Sequence, residues 1–94
     1  MKISELTSTS RKVNIEGKVT EKKEPREVNT RMGRTTVTEA IVEDDSGTVV
    51  LILWGEDSNK VSEGDNIKVE NGYITEWSGT LQLNIGKFGK LSVV

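Results

Sequence analysis

The sequence has 94 residues, a length that fits one domain and leaves no room for two. It contains no cysteine and no histidine, which excludes disulfides, thiolate or histidine metal sites and the commonest general base. The net charge of −2 argues weakly against a nucleic-acid partner. However, residues 1–34 carry nine Lys/Arg against five Asp/Glu, whereas residues 35–94 carry four against ten. This asymmetry suggests a basic face or loop on an acidic body, with chance in a short chain as the alternative.

Targeting segments are not recognisable in the sequence. The N-terminus lacks the apolar core of a signal peptide, and no apolar run is long enough to span a bilayer. We therefore expect a soluble cytoplasmic protein that has no membrane partner.

The sequence also lacks motifs for catalysis. A glycine-rich phosphate loop followed by Lys-Ser/Thr is absent, and no Ser/His/Asp or Cys/His set can form without histidine and cysteine. The densest acidic cluster, residues 43–45, is too short for a Ca²⁺ loop, and we interpret it as a hairpin turn whose aspartates bond their own backbone. The sequence thus predicts a binding module and not an enzyme, with no metal and no other cofactor.

The first third of the chain contains one strand and one irregular segment. Apolar and polar residues alternate over 11–23, which is typical of a half-buried strand. Gly17 lies in the middle of this strand and indicates a bend where the strand could curl to serve two sheets. Residues 24–34 have no period and contain the only proline, so we predict a long exposed loop.

The middle of the chain reads as a hairpin followed by a polar segment. Residues 35–43 are rich in β-branched side chains and predict the second strand, and Thr48 to Trp54 is the almost wholly apolar third strand. The turn signal Asp-Asp-Ser-Gly separates them. In the polar segment 55–64, Asp57 or Ser58 could cap one short helical turn.

The last third predicts two further strands. Residues 65–74 form the fourth strand, and 75–79 are interpreted as a loop. Leu81, Leu83 and Ile85 alternate with polar residues in the fifth strand, and residues 91–94 add an extended tail. The sequence therefore predicts an all-β, five-stranded Greek-key barrel of the OB-fold type, with a short helical turn between strands three and four.

The aromatic residues are the best candidates for function. Leucine, isoleucine and valine already supply one apolar face in every strand, and the four aromatics are Trp54, Tyr73, Trp77 and Phe88. We predict that the first three stack on the bases of a single-stranded nucleic acid, because every base offers a face to an exposed ring. Phe88 is instead predicted to pack under the C-terminal tail. Val50 and Ile52 share the alternation of Trp54, and the sequence leaves open whether they face a groove or the core.

The predicted loop between strands one and two carries a cluster of cations. In an OB-fold this loop and the loop between strands four and five form the walls of the binding groove. We predict that its basic side chains neutralise phosphates, which gives salt-dependent, sequence-tolerant affinity. The main candidates are Arg26, Arg31 and Arg34, with Lys22 and Lys23 as weaker ones. The alternative is a solvated loop in which neighbouring glutamates pair with these cations.

Several strings along nearly the whole chain resemble archaeal single-stranded DNA-binding proteins and the OB domains of archaeal replication protein A. The most specific are Leu53-Trp54-Gly55 and Leu81-Gln82-Leu83-Asn84, which fall at matching spacing. The resemblance implies binding of single-stranded DNA in replication, recombination and repair. It implies stacking on Trp54, Tyr73 and Trp77, and loop contacts by Arg26 and Arg31 with Thr30 nearby.

The family's simple single-domain members carry a polar C-terminal tail, whereas this sequence stops at an apolar end. We therefore expect residues 1–94 to be one OB domain of a longer replication protein A, with sister OB domains or other replication and repair proteins as further partners. The alternatives are an OB domain for protein–protein interaction in a replication complex, and a binder of single-stranded RNA.

Overall fold

The computed structural model describes residues 1–31, 33–86 and 88–94, which form seven strands and two short 3₁₀ turns. The strands are β1 (Arg11–Lys22), β2 (Arg26–Thr30), β3 (Gly33–Asp44), β4 (Gly47–Trp54), β5 (Asn66–Trp77), β6 (Thr80–Asn84) and β7 (Lys90–Val93). The 3₁₀ turns are Ile3–Glu5 and Gly55–Asn59. Within this part of the chain, no helix has the length and apolar character needed to cross a membrane.

Five of the strands close into a ring. β1 pairs with β3, β3 with β4, β4 with β6, β6 with β5, and β5 again with β1. The β4–β6 pair is parallel and the other pairs of the ring are antiparallel. In a closed ring each strand has a neighbour on both sides, so no strand edge is left unpaired. Hydrogen bonds and core packing therefore hold the barrel together without disulfides. The predicted five-stranded OB-fold barrel is confirmed, and β2 and β7 are additions to it.

β1 serves two neighbours because it changes partner halfway along its length. Its first half pairs with β5, its second half pairs with β3, and Lys18 has a partner on both. A Cβ atom on Gly17 would lie only 2.6 Å from Val42 Cγ1 and 2.8 Å from the carbonyl oxygen of Glu43. Glycine therefore lets β1 approach β3 closely where the partner changes, in agreement with the predicted bend.

The barrel interior holds alternate aliphatic residues of the ring strands. Val49, Leu51 and Leu53 of β4 belong to this core, so Val50, Ile52 and Trp54 stand on the outer face. The alternation thus answers the question that the sequence left open for Val50 and Ile52. The rest of the core comprises Ile3, Leu6, Val13, Ile15, Val19, Ala40, Val42, Val61, Ile67, Val69, Ile74 and Leu83.

The predicted loop at 24–34 is wrong, because most of this segment is a hairpin. β2 pairs with the first residues of β3, from Arg26 opposite Val37 to Thr30 opposite Gly33. We call residues 26–31 and 33–37 the basic arm. Both faces of β2 carry exposed residues, with Val28 half-buried. A strand that buries neither face shows no hydrophobic period, so periodicity could not reveal it.

Two other predicted boundaries are also wrong. β5 continues through Thr75–Trp77, which were assigned to a loop, because Glu76 and Trp77 pair with Leu81 and Thr80 of β6. The helical turn begins at Gly55 and not at Asp57 or Ser58, with Trp54 at its N-cap position. The predicted C-terminal tail is a strand that pairs with β5. In β5 the ladder extends past Ile74, the last residue of the apolar pattern.

Candidate nucleic-acid interface

The outer face of β3, β4, β6 and β5 brings the predicted stacking residues to one surface, which we call the groove face. Paired residues of neighbouring strands project to the same side of a sheet, so the register defines rows across this face. The central row consists of Glu39, Ile52, Asn84, Tyr73 and Arg11. The row on one side of it contains Arg26, Val37 and Trp54, and the row on the other side contains Ile41, Val50, Gln82 and Thr75.

The three predicted stacking residues all have exposed rings on the groove face. The exposed fractions are 44% for Trp54, 36% for Tyr73 and 70% for Trp77. Tyr73 and Trp77 are four residues apart on β5, which corresponds to about 13 Å along the strand. Trp54 lies on β4, two strand spacings or roughly 10 Å away from β5 across β6. The rings are therefore spread along one surface at intervals that several successive bases could span.

Tyr73 is seated against the backbone of the segment that follows β6. A Cβ atom on Gly86 would lie 3.2 Å from Tyr73 Cε1 and 3.3 Å from Cδ1. Glycine at this position therefore lets the ring rest close to the main chain, which restricts the orientation of the ring.

The floor between the aromatic rings is partly apolar and partly polar. Ile52 is almost fully covered and Val50 is half-buried. The side-chain amide of Asn84 donates hydrogen bonds to Thr75 Oγ1 at 3.0 Å and to the Gln82 carbonyl oxygen at 3.3 Å. These bonds fix the orientation of Asn84 beside Tyr73, where Gln82 and Thr75 add an amide and a hydroxyl group to the same surface.

Two of the predicted cations border the groove face and share one carboxylate. Arg26 stands beside Val37, on the same side as Trp54. Its Nη2 lies 3.7 Å from Glu39 Oε1, and Lys23 Nζ lies 3.9 Å from Glu39 Oε2. Sequence reasoning missed Glu39, although a carboxylate in the middle of a strand of β-branched residues is a signal that could have singled it out.

The structure distributes the other predicted residues of the basic arm differently. Arg34 pairs with Asn29 on the opposite face of the arm from Trp54, and its Nη1 lies 3.2 Å from Glu27 Oε2. This ion pair is the local glutamate pairing that the sequence offers as the alternative to phosphate binding. Thr30 Oγ1 donates to the Gly33 carbonyl oxygen at 2.8 Å, and Arg31 is exposed at the tip of the arm.

Lys22, one of the two weaker candidates, lies outside the groove face. Its Nζ donates to the carbonyl oxygens of Ser58 and Val61, the latter at 3.0 Å. The ammonium group thereby stabilises the end of the 3₁₀ turn that follows β4. A structural role explains this lysine without a contact to a ligand.

Phe88 does not pack under the C-terminal tail, and that prediction is wrong. Its side chain is 82% exposed, because the chain turns between Gly86 and Gly89 and carries the ring outward. Gly89 N donates to the Gly86 carbonyl oxygen at 2.9 Å, and Asn71 Nδ2 donates to the Phe88 carbonyl oxygen at 3.4 Å. The ring is thus presented to solvent by a hydrogen-bonded turn.

The acidic turn between β3 and β4 is confirmed as a structural element. Asp44 Oδ1 accepts hydrogen bonds from Ser46 Oγ at 2.6 Å, Ser46 N at 2.7 Å and Gly47 N at 3.1 Å. Its Oδ2 accepts from Ile3 N at 2.9 Å. These bonds, that of the Ser46 hydroxyl above all, lower the pKa of Asp44 from 3.8 to about 2.

Asp45 instead binds Lys2 Nζ at 2.8 Å. No group of three or more potential metal ligands occurs among residues 1–31, 33–86 and 88–94.

The chain is similar to known proteins over almost its whole length. It is 37% identical to a single-stranded DNA-binding protein Ssb of Saccharolobus solfataricus over 91 residues, which are 97% of this chain and 62% of that protein. The OB domain of a Thermoplasma acidophilum protein superposes with a TM-score of 0.87 at 20% identity, covering 100% of this chain and 85% of that chain. A replication factor A related protein from Methanobacterium thermoautotrophicum gives 0.83 at 25% identity, covering 100% and 89%.

The chain thus spans less than two thirds of the length of the Saccharolobus relative. At 20% identity, the likeness to the Thermoplasma domain shows the fold alone. The profile described as single-stranded DNA binding protein Ssb-like, OB fold, matches residues 5–93. The resemblance to archaeal proteins predicted from the sequence is therefore confirmed, and this chain belongs to the Ssb-like family of OB-fold single-stranded DNA-binding proteins.

Proposed function

We propose that the chain binds single-stranded DNA across the groove face and acts there as a binding module, not as an enzyme. The observation that carries this proposal is the placement of three exposed aromatic rings on one outer surface bordered by cations. Sequence-tolerant binders of single strands combine these two features, since rings stack on any base and cations follow the phosphates. The name of the Saccharolobus relative supports the same ligand.

In the proposed complex, bases stack on Trp54, Tyr73 and Trp77, and each stack contributes about 1–3 kcal/mol. Lys23, Arg26 and Arg31 neutralise phosphates at the edge of the face that carries Trp54, and Thr30 lies beside them in the arm. Arg34 points to the opposite face of the arm, so we assign it a contribution to the overall positive potential and no direct contact. The footprint is expected to be about 4–16 nucleotides, as for other OB-folds.

The biological setting proposed for this binding is replication, recombination and repair in the cytoplasm. Sister OB domains of a longer replication protein A, or other replication and repair proteins, are the further partners proposed. The support is the similarity to a replication factor A related protein.

Fluorescence anisotropy with a labelled thymine oligomer of about 15 nucleotides tests the proposal. We expect Trp54→Ala and Trp77→Ala to weaken binding each by about five- to a hundredfold, which corresponds to the loss of one stacked base. Trp54→Phe and Trp77→Phe are the matched controls, and they are expected to retain most of the affinity because a ring remains. Wild-type affinity in both alanine variants would refute the groove face as the binding surface. Tighter binding of the matching uridine oligomer would favour RNA as the ligand.

A further inference from the structure

A cavity lies beside Tyr73, at the end of the central row, and no role predicted from the sequence explains it. Its volume is about 530 Å³, within the range of pockets that hold small ligands. Among the residues that line it are Arg11, Lys12, Asn71, Tyr73, Gly86 and Phe88. Tyr73 therefore belongs both to the groove face and to this cavity.

The register makes the cavity continuous with the groove face. Tyr73 is paired with Asn84 of β6 on one side and with Arg11 of β1 on the other, so Arg11 extends the central row by one strand. Register shifts between Arg11, Val13 and Ile15 bend the start of β1, and Lys12 has a positive φ of 52°. Bulges of this kind redirect side chains and are frequent beside binding sites. A strand that crosses the face from Trp54 past Tyr73 would reach this cavity next.

The chemistry of the cavity repeats that of the groove face. Phe88 offers a ring that is 82% exposed, held at a hydrogen-bonded turn. Arg11 Nη1 donates to the carbonyl oxygens of Ser10 at 3.2 Å and Ile74 at 3.4 Å, which orients a guanidinium that has further N–H donors. Lys12 adds a second exposed cation. An exposed ring beside two cations is the combination that binds a base together with its phosphate.

We propose that this cavity is a further nucleotide subsite for the same DNA strand, with a base stacked on Phe88 and the adjoining phosphate bound by Arg11 and Lys12. The proposal rests on the proposed function, because the strand must first lie on the groove face. It gives the face a cation at each end of the central row, Arg26 beside Glu39 and Arg11 beside Tyr73.

The test is a length series of thymine oligomers from about 4 to about 16 nucleotides, measured by anisotropy with the full chain. We expect Phe88→Ala to weaken binding of the longest oligomers by about five- to thirtyfold and to leave the shortest unchanged. Arg11→Gln is expected to weaken the same long oligomers and to lower the salt dependence of their binding. Lys60→Gln removes a cation from the 3₁₀ turn region, at Asp57, and should leave the length dependence unchanged.

Phe88→Tyr and Phe88→Leu separate stacking from apolar contact. We expect the tyrosine variant to bind long oligomers like the wild type and the leucine variant to bind them like Phe88→Ala. Because the ring is so exposed, none of these changes should alter the thermal unfolding midpoint appreciably.

Three results would overturn the subsite alone. One is wild-type binding of all lengths by Phe88→Ala while Trp54→Ala is weakened, in which case the proposed function stands without the subsite. Another is an equal loss at every length, which would mean that the ring supports the groove face itself. The third is full binding by Phe88→Leu. If the wild-type chain bound no oligomer at all, the proposed function and the subsite would fail together.

Discussion

Thr38 places a hydroxyl inside the barrel, where the structure gives it no hydrogen-bond partner among the described residues. The residue is fully buried, and its neighbour across the ladder is Leu53 of the core. A buried hydroxyl without a partner loses its bonds to water and gains nothing in return. The hydroxyl is therefore a local cost to the stability of the fold.

Thr38→Val should raise the free energy of unfolding by about 1 kcal/mol, because valine keeps the shape of the side chain and removes the unpaired polar atom. Denaturant unfolding of the two proteins measures this difference. Thr48→Val is the matched control on the exposed side of β4, where a change within about 0.5 kcal/mol is expected. A loss of stability in Thr38→Val would mean that the hydroxyl is bonded in solution.

Single residues also show what the sequence could predict about the site. Trp54, Tyr73 and Trp77 were identified because the aliphatic residues already filled one face of each strand, which left the rings for the other face. Glu39 and Arg11 were missed because their importance comes from cross-strand register, which links residues far apart in the chain. Phe88 was misassigned because apolar character predicts burial only when the surrounding turn permits it.

At the level of elements, one carboxylate bonds the turn between β3 and β4 to itself and to the N-terminal segment. Asp44 accepts four hydrogen bonds, from the turn and from the backbone of Ile3, and they lower its pKa from 3.8 to about 2. A carboxyl whose pKa is lower in the folded state stabilises the fold above the unfolded value. That contribution disappears as the pH falls from about 3.8 through about 2.

Asp44→Asn should therefore be less stable than the wild type at neutral pH and should lose less stability between pH 4 and pH 2. Unfolding midpoints recorded across this range measure the effect. Ser46→Ala removes the hydroxyl that contributes most to the pKa shift, so it should show the same change in a weaker form. Equal acid sensitivity in Asp44→Asn and wild type would show that this carboxyl does not determine how the stability falls at low pH.

Two glutamates pair with cations in and beside the basic arm, and they lie on opposite faces. Glu39 contacts Arg26 and Lys23 on the groove face, and Glu27 contacts Arg34 on the other. Exposed pairs of this kind contribute little to stability, so their main effect is on the local potential. On the groove face, a phosphate must compete with the Glu39 carboxylate for the two cations.

Glu39→Gln should bind single-stranded DNA several-fold more tightly at low salt, with a smaller gain at high salt, because the cations are released and a negative charge is removed. Anisotropy titrations at two salt concentrations measure the difference. Glu27→Gln changes the net charge equally on the opposite face of the arm and should have a smaller effect. If both variants gained affinity equally, net charge and not the position of Glu39 would explain the result.

The arm also marks the limit of periodicity as a predictor of elements. Of the ring strands, β1, β5 and β6 were predicted because each buries one face, which produces alternation, whereas β3 and β4 were predicted from their β-branched and apolar residues. β2 and the end of β5 were not predicted, because both of their faces lie near solvent and no alternation results. Ladder hydrogen bonds to the neighbouring strands hold them in place.

At the scale of the whole molecule, closure of the ring gives the inner and outer faces of the sheet different roles. The interior residues stabilise the barrel, and the exterior of four strands is left as a continuous surface for aromatic and polar groups. Several cations of residues 1–34 lie at the rims of this surface, Lys23 and Arg26 at one edge and Arg11 and Lys12 at the other. A chain with a net charge of −2 can therefore present a positively bordered face to DNA.

Tryptophan fluorescence tests the stacking of bases on this face most directly, because both tryptophans lie on it and no other tryptophan contributes to the signal. The chain would be titrated with a thymine oligomer of about 15 nucleotides at low and at high salt. Trp54→Phe and Trp77→Phe would show how much of the change each ring reports. Strong quenching at both rings, reached at higher oligomer concentration when salt is added, is the predicted result. Unchanged fluorescence at low salt, whether or not anisotropy shows binding, would contradict base stacking on the groove face.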